Sequence, residues 1–320
     1  MTENEIYELR QQRARQRRRQ QQRQQMQRLL YLLVAAACVV MLVISALPEK
    51  QEDTLLSTDP GTVPTTQAPE PTVIIQVPAP SVIQTEPEET YIPATWPEDL
   101  PAAEALAVFT QSYGLSTEDY PDQILSAIYK EEENLGYLIQ FPLEVRRKHK
   151  IDLTQYDLSE GVPLFIQWDS QWGYLEYAGN YAGLSGCGPV CLSMVAYYLT
   201  GDPELTPAYM MKMAEDNHYC GNRQGSFWSL FSEGGEKVGL KVQELPLVEN
   251  IIISHLRQGH PIILSMGPGV FTSGGHYIVL AGYEDGKYII NDPNSYVRSE
   301  KRWEYREFAN QVTNLWAFST

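Results

Sequence analysis

Apolar and polar positions follow four regimes along the 320 residues. Residues 1–28 are Gln/Arg-rich, with Arg17, Arg18 and Arg19 in succession, and show no apolar stripe to bury. Leu29 to Leu47 form an uncharged run of nineteen residues. At helical rise that is about 28 Å, close to the ~30 Å core of a bilayer, so 29–47 reads as a transmembrane helix. Residues 48–100 then hold ten prolines among Thr, Glu, Gln and Val, with no helical period. This is the pattern of an extended, solvated, disordered linker running to residue 101.

The character changes at Ala102. Ala102–Ser112 predicts a short helix. Tyr120-Pro121 introduces a second, with Ile124, Leu125, Ile128 and Tyr129 spaced for one face. Leu135, Tyr137, Leu138, Ile139 and Phe141 carry apolar content up to Pro142. The segment 102–150 is too small for a core of its own, so packing onto the next domain is expected, in preference to an inhibitory pro-segment.

Residues 151–320 read as one globular domain of helix followed by strand. Gly186–Leu199 predicts a buried helix with Gly201 just past its end. Thr206-Pro207 has the form of an N-cap followed by proline, opening a helix to about Glu215. Ser226 is a candidate cap for a third helix ending near Gly239, and Glu249–Gln258 is a fourth, stopped by Gly259. Strands are predicted at Pro261–Met266, His276–Tyr283 and Lys287–Asn291, with Leu315–Phe318 closing the sheet. A long early helix followed by an antiparallel sheet makes an α+β domain.

Charge orients the chain. Eight Arg and three Glu give residues 1–28 a charge of +5, which leaves −21 on the rest of a chain whose total is −16. By the positive-inside rule the basic segment stays in the cytoplasm and the remainder is exported, in a single-pass arrangement at the cell membrane. Anionic headgroups suffice as partners for those arginines. The acidic body argues against nucleic acid. A cleaved signal peptide is disfavoured, because the basic region is long and no small-x-small site follows Ser45 and Ala46. An anchor and a long tether suit a Gram-positive surface.

The tightest chemical cluster is Gly186-Cys187-Gly188-Pro189. A thiol in the first turn of a helix faces unpaired amides and the positive end of the dipole, a setting that favours thiolate. Flanking glycines would let a substrate approach the sulfur; the bland alternative is a small buried core cysteine. A thiolate nucleophile needs a base held by a third group. Of five histidines, His149 sits in a Lys/Arg cluster, expected to be solvated. His218 lies in a polar loop, His255 on the polar side of a helix, and His260 at a strand start. His276 alone follows Gly274-Gly275 and opens an apolar strand. Asp292 ends the next strand within Asn291-Asp292-Pro293-Asn294, where it could equally be a turn residue capping its own loop.

Register decides whether His276 and Asp292 can meet. With a two-residue loop at Asp285-Gly286, Val279 pairs with Asp292 and His276 faces away. With a three-residue loop or an equivalent bulge, Ile278 pairs with Asp292 and His276 shares its face. A catalytic pair therefore requires the second arrangement. Gln167 and Gln171 lie upstream as candidate oxyanion donors, or as ordinary loop residues. Cys191 falls one helical turn beyond Cys187, where burial is expected, and Cys220 could pair with it outside the cell. A zinc site from Cys187, Cys191, His218 and Cys220 lacks the usual duplicated spacing, so neither metal nor cofactor is expected.

Four separated stretches occur in order: Ile166-Gln167-Trp168-Asp169 with Trp172; Leu184-Ser185-Gly186-Cys187-Gly188-Pro189 running to Ser193-Met194; Gly275-His276-Tyr277-Ile278-Val279-Leu280; and Asn291-Asp292-Pro293-Asn294. In these, residues 160–318 resemble the bacteriocin-processing-like cysteine peptidases (family 39-like) of the papain-like superfamily, in the exported bacterial branch without a transporter. The resemblance implies a papain-like fold, with Cys187 on an N-terminal helix as nucleophile and His276 and Asp292 on the sheet as base and orienting partner. It favours Gln167 over Gln171 as oxyanion donor. The implied activity is hydrolysis of peptide or isopeptide bonds in a peptide or protein substrate. A catalytically silent peptide-binding module and an acyltransferase using the same Cys–His pair are the alternatives.

Overall fold

A computed structural model describes residues 100–130 and 133–320. The basic segment, the membrane-span expectation at 29–47 and nearly all of the linker lie outside the described residues, among which no helix is long and apolar enough to cross a membrane.

Three helices come first: α1 (Ala102–Tyr113), α2 (Asp122–Ile128) and α3 (Leu135–Glu144). Their apolar faces form a cluster around Phe109, Ile124, Leu138 and Phe141. Tyr174 closes that cluster from the following chain, with Trp168, Tyr181 and Leu184 packed against it. The helices thus complete their core with residues of the next domain, as their small size demands.

Strands β1 (Glu176–Tyr177) and β2 (Asn180–Tyr181) lead into a single turn, α4 (Ala182–Ser185), and then helix α5 (Cys187–Thr200). Every residue of α5 from Gly188 to Tyr197 is buried, the signature of a helix covered on all sides. Gly201 ends it in the left-handed conformation at φ 67°. Helix α6 (Pro207–Asp216) opens as its sequence requires, with the Thr206 side chain accepting from Tyr209 N.

The third helix departs from expectation. Ser226 belongs to a short hairpin of β3 (Cys220–Gly221) and β4 (Gly225–Ser226), and α7 begins only at Ser229, running to Lys237. The Ser226 carbonyl is taken by the Tyr277 hydroxyl instead of a helix start. Helix α8 (Glu249–Arg257) follows strand β5 (Lys241–Glu244).

The sheet has six antiparallel strands in the order β5-β10-β6-β7-β8-β9. Besides β5 these are β6 (Ile262–Met266), β7 (His276–Glu284), β8 (Lys287–Asn291), β9 (Arg302–Trp303) and β10 (Val312–Ser319). Two short helices, α9 (Tyr296–Glu300) and α10 (Tyr305–Phe308), flank β9. The expected closing strand β10 lies inside the sheet, between β5 and β6. Strand β5, largely exposed, has no apolar run that would announce it. One face of the sheet, with Ile263, Val279, Trp316 and Phe318, packs on α5, α6 and α7. The other, with Leu264, Ile278, Leu280 and Ile290, packs on α8 and α10.

Candidate active site

Helix α5 presents Cys187 at its first position. The glycines on either side serve packing, a different reason from substrate access. A Cβ on Gly186 would lie 2.6 Å from the Ala182 carbonyl oxygen, and one on Gly188 would lie 2.2 Å from Ser226 Oγ. Neither backbone could approach its neighbour so closely with a side chain in place.

The β7–β8 hairpin solves the register problem by a combination. Its loop is the two-residue Asp285-Gly286, with φ of 50° and 78° as a primed turn requires. A bulge between Leu280 and Gly282 then shifts the ladder by one residue, so Val279 faces Asn291. The next position toward the open end sets Ile278 against Asp292, and His276 shares that face. The bulge does the work of a three-residue loop. Asp292 is reached: His276 Nε2 donates to Asp292 Oδ1 at 2.8 Å, with His276 8% exposed and Asp292 fully buried.

Asp292 fills both roles open to it. As a turn residue, its Oδ1 accepts from Asn294 N at 2.8 Å; its Oδ2 accepts from Arg298 Nε at 2.5 Å. Burial alone would raise its carboxyl, but His276 and then Arg298 outweigh this and hold it below the ordinary range. Burial likewise works against a charged His276. The Asp292 carboxylate, through its charge and its hydrogen bond, and then the neighbouring Cys187 sulfur override it and push the imidazole up to about 10. With Nε2 committed to Asp292, Nδ1 is the ring nitrogen left for the Cys187 sulfur.

Gln167 and Gln171 part company. The Gln167 side chain is buried, its Nε2 donates to the Gly183 carbonyl at 2.9 Å, and its Oε1 has no partner among the described residues. Its backbone N–H donates to Pro293 O at 2.7 Å, tying it to the loop that carries Asp292. Gln171 instead accepts from Asp152 N at 2.8 Å, in the entry segment.

Cys191 and Cys220 are both free and form no disulfide with each other. Burial raises the thiols of both Cys191 and Cys220, which keeps them protonated. Three or more metal-ligating side chains do not gather at any point among the described residues. His149, expected in solvent, is only partly exposed, stacked on Tyr174 at 5.4 Å with Nε2 at 3.0 Å from the Glu144 carbonyl.

Sequence reasoning missed three supports. Arg298, on α9, holds Asp292 from the side opposite His276. Glu133 accepts hydrogen bonds from Ser295 Oγ and Val297 N, steadying the same loop. Tyr137 on α3 lies against Gly183, where a Cβ would meet its ring at 2.3 Å, and its hydroxyl donates to Gly173 O at 2.9 Å. No local pattern marks any of them: Glu133 and Tyr137 act across the fold, and Arg298 reaches Asp292 only through the turn between them.

The Peptidase_C39 like family matches residues 159–319, half of the chain. The chain belongs to the Peptidase_C39 like family. No curated protein matches it. Among solved structures, it is similar to the peptidase domain of Streptococcus ComA, a bi-functional ABC transporter involved in a quorum-sensing pathway. That match has 22% identity and a TM-score of 0.34, covering 42% of this chain and 92% of that one. It is also similar to a protein assigned as a C39-like peptidase from Bacillus anthracis, at 16% identity and a TM-score of 0.36, covering 54% and 98%. Helices α1–α3 precede the family match.

Proposed function

We propose that the chain is a thiol peptidase of papain-like mechanism, working outside the cell from a membrane anchor at residues 29–47. The observation that carries the chemistry is His276, hydrogen-bonded to the buried Asp292 and close enough to Cys187 for the sulfur to influence its charge. The Cys187 sulfur attacks the scissile carbonyl carbon and its proton resides on His276 Nδ1. The imidazolium gives that proton to the departing amine as the C–N bond breaks, leaving a thioester on Cys187. Water, deprotonated by His276, then cleaves the thioester and restores the thiol. Asp292 holds the ring in the required orientation and stabilises its charge. Gln167, with one N–H fixed by Gly183 O, offers its second N–H to the developing oxyanion. The location rests on the basic segment, the apolar run and the tether read from the sequence.

The test is labelling of the full chain with a papain-type covalent inhibitor across pH, followed by peptide mapping. Selective labelling of Cys187, with a pH profile that moves in His276→Ala, is expected. A Cys187 no more reactive than Cys220 would end the catalytic reading.

A further inference from the structure

Ser226 touches both elements that carry the Cys–His pair. Its side chain occupies the space that Gly188 leaves open: a Cβ on Gly188 would lie 2.2 Å from Ser226 Oγ and 2.6 Å from Ser226 Cβ. Gly188 follows Cys187 in α5. The Ser226 carbonyl accepts from the Tyr277 hydroxyl at 3.0 Å, and Tyr277 follows His276 in β7. Nucleophile and base are thus each one residue from a contact with the same serine.

The serine is itself held. Its Oγ is hydrogen-bonded at 2.7 Å to the hydroxyl of the buried Tyr177, which fixes the side chain against Gly188. Ser226 pairs with Cys220 across the β3–β4 hairpin. That hairpin is tied at its turn by Arg223 N donating to Ala178 O at 2.7 Å, and at its open end by Phe227 N donating to Tyr219 O at 2.8 Å. The Tyr277 ring packs on Phe231 of α7 at 4.5 Å between centroids. Burial raises both phenols, so each stays protonated. A misplacement of about 1 Å between reacting groups can cost about 10²-fold in rate, and a thiolate–imidazolium pair weakens as its separation grows. A hydroxymethyl group is large enough to matter on that scale.

We propose that Ser226 is a positioning residue, a spacer between α5 and β7 that sets the separation of the Cys187 sulfur and the His276 ring. The proposal rests on the thiol peptidase reading and gives the β3–β4 hairpin a part in it.

The experiment follows alkylation of Cys187 by iodoacetamide in the full chain across pH, with peptide mapping to separate it from Cys191 and Cys220. In wild type the midpoint should lie well below the value of about 8.5 for a free thiol. Ser226→Gly removes the spacer and Gly188→Ala overfills its place. Each should lower the rate at about pH 6 by about tenfold or more and raise the midpoint. In the double variant the new methyl stands where the hydroxymethyl stood, so the rate should return to within about threefold of wild type. Tyr277→Phe keeps the ring and loses only the hydroxyl. It should move the midpoint the same way with the melting temperature retained, and it decides the matter if Gly188→Ala does not fold. A serine that only stabilised the fold would leave the midpoint in place in every folded variant. A midpoint unchanged in Ser226→Gly and Tyr277→Phe against a depressed wild-type value, or a folded double variant no better than its worse parent, would overturn the proposal alone. A wild-type midpoint of about 8.5 would end the peptidase reading and the proposal with it. The expected shifts in a chain that cleaves no peptide would uphold the spacer and end only the hydrolytic reading.

Discussion

Gly183→Ala should strain the support beneath the candidate oxyanion donor, and the structure sets the size of the effect. The new Cβ would lie 2.3 Å from Tyr137 Cζ and 2.6 Å from its hydroxyl oxygen. The ring cannot swing clear: it is 5% exposed and packs on Tyr174 at 4.7 Å between centroids. Overpacking of this kind costs about 1–3 kcal/mol. Displacing the hydroxyl from Gly173 O forfeits a buried hydrogen bond worth about 1 kcal/mol. A loss of about 2–4 kcal/mol is expected, read from urea midpoints of the full chain. Tyr137→Ala alone should cost about 3–5 kcal/mol by opening a cavity. In the double variant the methyl has room, so its separate penalty should vanish, leaving the pair about 2 kcal/mol or more better than additive. Because Gly183 O also holds Gln167 Nε2, kcat should fall in Gly183→Ala beyond what lost protein explains. Additivity within about 0.5 kcal/mol would refute the claim that the ring and the glycine are in forced contact.

Removing the Gln167 amide in Gln167→Ala should lower kcat by about 10²–10³-fold with little change in KM, whereas Gln171→Ala should spare kcat and cost stability through the freed Asp152 amide. Arg298→Met leaves Asp292 with His276 and the Asn294 amide, so its carboxyl should rise, the acid limb of activity move to higher pH, and stability fall by about 1–3 kcal/mol. A pH profile identical to wild type would show that Arg298 is not a partner in solution. The His276–Asp292 pair has opposite pH limits. Asp292 is depressed, so its contribution is complete above about pH 4 and disappears as pH falls further; His276 is raised, so its contribution is complete below about pH 6.5 and disappears as pH rises toward about 10. The stability gap between wild type and His276→Gln should therefore be widest between about pH 4 and 6.5 and narrow steadily above it; a gap constant to pH 10 would contradict the ion pair.

Local chemistry made much of the fold legible. A proline after Thr206 and a glycine at 201 place helix ends by backbone rules that need no tertiary partner, and both ends lie where those rules put them. Apolar runs and the Asp285-Gly286 turn placed β6, β7 and β8 within a residue or two. Strand β5 stayed hidden because its side chains are mostly exposed and its partner, β10, lies some seventy residues on. Ser226 misled because a hydroxyl suited to a helix cap sits equally well in a hairpin.

The candidate site divides in the same way. The sequence by itself determined the residue types, their order and the α+β class, and it posed the condition that His276 and Asp292 must share a face. Tertiary structure decided how that condition is met, through a bulge at Ala281 that no residue preference announces. It also decided which glutamine lies beside the Asp292 loop. Arg298, Glu133 and Tyr137 became visible only in the folded chain: Glu133 acts across more than a hundred residues, Tyr137 across some forty, and Arg298, six residues from Asp292, belongs to a short helix with no pattern that singles it out.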